Sequence, residues 1–150
     1  MRFARVDTPI GELLVVGDAA GLVRVTFEGT PEDHWKVGLA TAARQLDDWF
    51  ARRRTDFDLR LAAMGTPFQR KVWKAISAIP YGQTRSYGEL SAQIGGSPRA
   101  VGAAAGANPL LVVVPCHRLV GADGGRVAYA AGLHRKEWLL GHEAGQGSLL

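Results

Sequence analysis

One cysteine, Cys116, stands in the run Pro115-Cys116-His117-Arg118. A thiolate is the strongest nucleophile among side chains toward a soft carbon, but a free thiol titrates near ~8.5 and needs help to ionise at neutral pH. The residues that follow could supply that help: His117 can accept a proton, and His117 and Arg118 together can favour the negative form. Adjacent residues on a strand point to opposite faces, so direct contact between Cys116 and His117 requires a turn at Pro115. A lone cysteine is more often a small core residue than a reactive one. Here its position argues for reactivity, because it ends the apolar run Leu110 to Val114, which reads as a buried strand and hence a rigid support. One cysteine leaves no internal disulfide and no multi-cysteine metal site. A reducing cytoplasm is the expected location.

The elements that must position this thiol lie in a basic part of the chain. Up to Ala62 there are nine basic and ten acidic residues. From Ala63 onward there are nine basic and four acidic, a surplus that would meet a polyanion. Near Met64 the helix signals become explicit. Thr66-Pro67-Phe68-Gln69 supplies an N-cap, a proline at N1 and a capping-box glutamine, with Val72, Trp73 and Ile76 on an apolar face. Ser86-Tyr87-Gly88-Glu89 is a second capping box, opening a helix through Ile94 that Gly95-Gly96 breaks. Ser97-Pro98 then starts a third helix, RAVGAAAGA. Helix, glycine turn, helix is the layout of a helix-turn-helix. The third helix is nearly all Ala and Gly, with Arg99 its one long side chain. Gly102 and Gly106 each cost up to ~1 kcal/mol of helix stability, which close approach to another helix or to a nucleic-acid groove would explain.

The front of the chain, residues 1–62, shows no chemistry of its own. ELLVVG (Glu12 to Gly17) and LVRVTF (Leu22 to Phe27) read as a hairpin around Asp18 to Gly21. His34 to about Ala51 carries a helical stripe, Asp56 to Leu61 alternates like a short strand, and Arg52-Arg53-Arg54 reads as a solvated edge. The fold expected is α/β: a small N-terminal α/β support domain (1–62) and a mainly helical C-terminal domain (63–150) with the helix-turn-helix and the cysteine. No stretch approaches the roughly 20 apolar residues of a membrane span. The start, MRFARVDTPIG, lacks the apolar core of a signal peptide, so neither a membrane partner nor export is expected.

GTPFQRKVW, IPYGQTRSYGEL, RAVGAAAGANP, VVVPCHRLVGADG and GLHRKEWLLGHE together make the chain resemble the O6-alkylguanine-DNA alkyltransferase (methylated-DNA–protein-cysteine methyltransferase) family over nearly its whole length. The resemblance implies direct DNA repair. An alkyl group moves from O6-alkylguanine in double-stranded DNA to Cys116, once per molecule and without cofactor or metal, with O4-methylthymine as a further candidate substrate. It implies that His117 deprotonates Cys116 through a water, that Glu143 holds His117, and that Asn108 braces the turn carrying the cysteine. Tyr87 resembles the tyrosine that assists departure of guanine and helps rotate the nucleotide outward. Arg99 resembles the finger that fills the vacated place, with Ser97, Ala100 and Gly102 on the same DNA-facing helix. Val127, Ala128, Tyr129 and Ala130 resemble the wall of the base pocket. In this family the helix-turn-helix enters the minor groove, the lesion is flipped out of the duplex, and the thioether product has no easy exit. His134, Arg135 and Lys136 are expected near the phosphate backbone.

Two departures stand out. Gly95-Gly96-Ser97-Pro98-Arg99 is about two residues shorter than the family's usual G-x-P-x-A-x-R segment, which alters the aim of Arg99. Ala128-Tyr129-Ala130-Ala131-Gly132 replaces a Gly-Tyr-x-Gly-Gly pattern, and the added methyls favour methyl over benzyl-type adducts. The alternative reading is a non-catalytic alkylated-DNA recognition protein, which Cys116 with His117, Asn108 and Glu143 argues against. A cysteine hydrolase would leave the helix-turn-helix unexplained. A monomer is expected.

Overall fold

The computed structural model describes residues 1–122, 124–125 and 128–145. Contacts divide the chain into two compact units, residues 1–64 with 109–113, and residues 65–108 with 114–150. The first is a small α/β unit and the second is mainly helical.

In the first unit, β1 (Arg2–Thr8), β2 (Gly11–Asp18), β3 (Gly21–Thr26) and β4 (Lys36–Val37) form one sheet in the order β3-β2-β1-β4. The β1–β2 and β2–β3 pairs are antiparallel, with a register shift at Val16/Gly17, and β4 runs parallel to β1. Strand β2 is buried on both faces from Leu13 to Gly17, so its sequence is continuously apolar rather than alternating. Helix α1 (Ala40–Phe50) buries Ala42, Leu46 and Trp49.

Three expectations for this unit need correction. The helical stripe starts at Ala40, not His34, because Lys36 and Val37 pair with Arg2 and Phe3, and Leu39 enters the left-handed region at φ 62°. Asp56 to Leu61 is not a strand. The Gln45 side chain takes both backbone groups of Asp58, donating to its carbonyl at 3.1 Å and accepting its N–H at 2.9 Å. Only Leu61 retains a bridge, to Leu22. The apolar run Leu110 to Val114 is likewise not a strand. Val25 donates to the Pro109 carbonyl and accepts from the Leu111 N–H, after which Val112 turns at φ 69°. Continuous apolar runs carry no period, so burial there was readable and conformation was not.

In the second unit, α2 (Pro67–Ser77) and α3 (Tyr87–Ile94) both begin with complete capping boxes, Thr66 with Gln69 and Ser86 with Glu89. Helix α4 (Pro98–Gly106) starts at Ser97, whose hydroxyl accepts the Ala100 N–H at 3.0 Å. Gly95 and Gly96 connect α3 to α4 at φ 90° and 82°, a conformation that other residues adopt only with strain. The Trp73 indole N–H donates to the Ala104 carbonyl at 2.9 Å and ties α2 to α4. Two short strands, β5 (Arg85–Ser86) and β6 (Leu119–Val120), pair in parallel, and α5 (Leu133–Glu143) closes the unit.

Candidate active site

Cys116 opens a three-residue 3-10 turn, Cys116–Arg118, immediately before β6. The thiol therefore sits on a turn rather than at a strand end, and Pro115 (φ −82°, ψ 62°) makes the bend that contact with His117 would require. The turn is held from α4's exit. Asn108 Nδ2 donates to the Val114 carbonyl at 2.9 Å and to Cys116 Sγ at 3.2 Å, while the Cys116 N–H donates to the same carbonyl at 2.8 Å. One amide thus fixes both the backbone entering the turn and the sulfur on it.

Behind the thiol lies a buried charged cluster. His117 and Glu143 are both enclosed, with Nε2 and Oε2 at 2.7 Å. Arg118 grips the same carboxylate with Nε at 2.8 and 3.1 Å and Nη2 at 2.8 Å, and its Nη1 donates to the Ile79 carbonyl at 2.6 Å. Burial alone would raise the Glu143 pKa, but hydrogen bonds and charge from His117 and Arg118 overcome it and bring it to about 2. An ionised Glu143 accepts from Nε2–H, which leaves the Nδ1 lone pair as the basic site of the His117 ring. Burial lowers the His117 pKa against the pull of Glu143, so the ring is neutral and able to accept a proton.

Burial pushes the Cys116 thiol up to about 11, with the Asn108 hydrogen bond and the Lys136 charge acting in the opposite direction. Arg118, which the resemblance makes a supporting rather than a reacting residue, is committed to Glu143. The cation that acts on the thiol is Lys136, which was expected at the phosphate backbone and is wholly buried. Its Nζ donates to the Leu119 carbonyl at 2.5 Å and the Ala128 carbonyl at 2.8 Å, and it sits 5.9 Å above the Tyr87 ring. A signal for it existed. Lys136, Leu139, Leu140 and Glu143 recur at i, i+3, i+4 and i+7 on α5, so two charges occupy the buried stripe of a helix.

A pocket of about 270 Å³ opens onto the thiol. Tyr87, Cys116, Ala128, Tyr129 and Ala130 line it, together with Gly102, Ala105 and Gly106 of α4. The Tyr129 ring stands edge-on to His117 at 6.4 Å. A Cβ on Gly102 would meet the Tyr87 ring at 3.8 Å, an ordinary contact, and one on Gly106 would meet nothing within 4 Å. Packing inside the protein therefore does not demand glycine at either position. Arg99 and Ser97 are exposed at the start of α4, Ala100 beside them is partly so, and none of the three lines the pocket. Val127 lies outside the described residues. His142 stacks on Trp138 with ring centroids 4.9 Å apart.

Comparison with known proteins returns one answer from both units. Residues 1–63 match the ribonuclease-like domain of 6-O-methylguanine DNA methyltransferase, and residues 67–145 match its DNA-binding domain. A methylated-DNA–protein-cysteine methyltransferase of Methanosarcina acetivorans is 44% identical, over 93% of this chain and 96% of its own. One from Mycobacterium tuberculosis is 43% identical, over 93% and 90%. The crystal structure of Mycobacterium tuberculosis OGT in complex with DNA superposes with a TM-score of 0.90 at 43% identity, covering 97% of this chain and 94% of that one.

Proposed function

The chain belongs to the 6-O-methylguanine DNA methyltransferase family, and we propose that Cys116 is the residue that accepts the alkyl group. The protein reverses O6-alkylguanine damage directly, transferring the methyl group to its own cysteine in a single turnover. The observation that carries the assignment of the residue is that the chain's one cysteine itself lines the pocket, its sulfur held by Asn108 and the next residue on its turn, His117, paired with Glu143.

The geometry supports the following division of labour. A buried thiol with a pKa of about 11 holds very little thiolate at neutral pH, so the reaction needs a base. Neutral His117 is that base: the thiol proton passes to Nδ1 through a water, and Glu143 steadies the resulting imidazolium. The Cys116 sulfur attacks the alkyl carbon as its bond to O6 breaks, and the departing guanine takes a proton from Tyr87. Burial, then the charge of Cys116, raises the Tyr87 pKa, so the hydroxyl still holds its proton when the base arrives; the Cys116 charge that opposes its release is lost as the sulfur bonds to the alkyl carbon. The thioether formed has no leaving group for water to displace, so the event is not repeated.

Helix α4 presents Arg99 with Ser97, Ala100 and Gly102 toward double-stranded DNA, and the flipped base enters beside Tyr129, Ala128 and Ala130. Ala128 and Ala130 bring methyl groups to the pocket lining, which favours methyl over benzyl adducts. The protein acts as a monomer, without cofactor, in the cytoplasm. Among the described residues no helix is long and apolar enough to cross a membrane.

The test is intact mass after incubation with a duplex carrying one O6-methylguanine. The expected gain is ~14 Da, one per molecule, on Cys116 and absent from Cys116→Ser. Tight lesion-dependent binding without a mass gain would make this a recognition protein instead.

A further inference from the structure

Tyr129 presents its ring to the pocket, but its phenolic oxygen is fully enclosed and has no hydrogen-bond partner among the described residues. A buried hydroxyl without a partner is a cost that phenylalanine would avoid while keeping the same wall. The retained oxygen calls for a partner that exists only at another stage of the reaction. We propose that the Tyr129 hydroxyl is a hydrogen-bond donor held for the Cys116 thiolate, so that Tyr129 sustains the nucleophile as well as walling the base pocket. The purpose of this device rests on the alkyl-transfer reading, but its test does not need DNA.

The surroundings fit a donor rather than an acid. Burial first, and then the charge of Cys116, raise the Tyr129 pKa well above the usual phenol value, with Arg135 opposing. The hydroxyl thus keeps its proton at every pH at which the protein would work. Tyr129 and Cys116 line the same pocket, and the Tyr129 ring stands edge-on at 6.4 Å to His117, the residue that follows Cys116 on its turn. Other groups face the thiol as well: Asn108 at 3.2 Å, Tyr87 from α3, Lys136 from α5, and His117 backed by Glu143 and Arg118. The Asn108 amide already donates to sulfur in its protonated form, whereas the Tyr129 hydroxyl gains its partner only when sulfur carries charge. No proton is transferred from Tyr129. The thiol proton goes to His117, and the phenol O–H turns toward the sulfur lone pairs.

The experiment is the rate of Cys116 alkylation by iodoacetamide against pH in the free protein, for wild type and Tyr129→Phe, with thermal melting of both. The expected result is a thiol midpoint about one unit higher in Tyr129→Phe, with about a tenfold slower reaction at pH 7. Because the lost oxygen had no partner, the melting temperature should stay level or rise. An unchanged midpoint overturns the proposal. So does an unchanged midpoint with slower transfer from an O6-methylguanine duplex, which would assign the hydroxyl to guanine. Should Phe loosen the fold, 3-fluorotyrosine at position 129 keeps the ring and sharpens the donor, and must then lower the midpoint. If the wild type gains no methyl from the duplex, the alkyl-transfer reading has failed, while the iodoacetamide result still decides the role of Tyr129 in thiolate stability.

Discussion

The two compact units treat buried polarity in opposite ways. Among the described residues, the first unit buries one polar side chain, Gln45, and satisfies it on both ends with the backbone of Asp58. The second buries Asn108, His117, Arg118, Lys136 and Glu143 around a single thiol, besides Ser86 and His142. Buried ion pairs are often no more stable than well-packed apolar residues of the same size, so their presence is weak evidence of a need for stability. A unit that only has to hold together can do so as the first does, with Leu13, Val15, Leu46 and Trp49 fully enclosed. The contrast separates a scaffold from a chemical site without reference to any relative.

The sharpest way to break that contrast is to remove one member of each buried polar group and compare. Glu143→Ala strands the Arg118 guanidinium and takes away the partner of His117. The expected loss is about 3–5 kcal/mol in denaturant unfolding, together with loss of alkyl transfer. Gln45→Ala leaves two backbone groups of Asp58 without their partner, one donor and one acceptor. The expected loss is about 1–3 kcal/mol, with transfer retained in the fraction that stays folded. A Gln45 variant costlier than the Glu143 variant would mean that the first unit, too, depends on its polar interior.

Acid should separate the units next. Glu143 has a folded pKa of about 2 against 4.5 for an ordinary glutamate, so its contribution is complete above pH 4.5 and is lost as pH falls toward 2. With the side chain almost fully enclosed, that shift corresponds to roughly 3 kcal/mol. His117 acts with the same sign. Its folded pKa is lowered, so the unfolded chain takes up its proton first as pH drops below 6.5, and stability falls further. Melting temperature should therefore decline from about pH 6.5 downward, and Glu143→Gln should flatten the part of the decline below 4.5. A profile independent of pH between 6.5 and 3 would contradict both shifts.

What could be read from the sequence follows the same division. Local grammar was legible. The capping boxes at Thr66 and Ser86, the Ser97 cap and the glycine break at 95–96 each satisfy their own backbone groups within a few residues, and each stands where it was expected. Cys116, His117, Asn108 and Glu143 converge as the family resemblance implied, although their roles await the experiments above. The misread segments are those whose conformation is set by partners distant in sequence. Asp56 to Leu61 was diverted by Gln45, and Leu110 to Val114 by Val25. Lys136 was misplaced because a lysine next to arginine and histidine looks like surface, and only the period of α5 puts it inside.

A smaller effect concerns the exposed face of α4. Arg99→Ala removes an exposed side chain, so stability should stay within about 0.5 kcal/mol of wild type. Lesion-duplex affinity should fall about tenfold, and iodoacetamide labelling of Cys116 should be untouched. Equal affinity with and without Arg99 would point to the shortened Gly95–Arg99 segment as having redirected the side chain.

The smallest expected change runs against ordinary mutational logic. Gly102 lies inside α4, where alanine is the better helix former by up to ~1 kcal/mol, and a methyl there would make an ordinary contact with Tyr87. In the first unit such a position would have no reason to remain glycine. In the second it lines the pocket that opens on Cys116. Gly102→Ala should therefore raise the melting temperature slightly while weakening binding or transfer on an O6-methylguanine duplex, more for bulky adducts than for methyl. A variant that is both more stable and fully active would show that neither packing nor substrate access fixes the glycine, and the thin surface of α4 would need another cause.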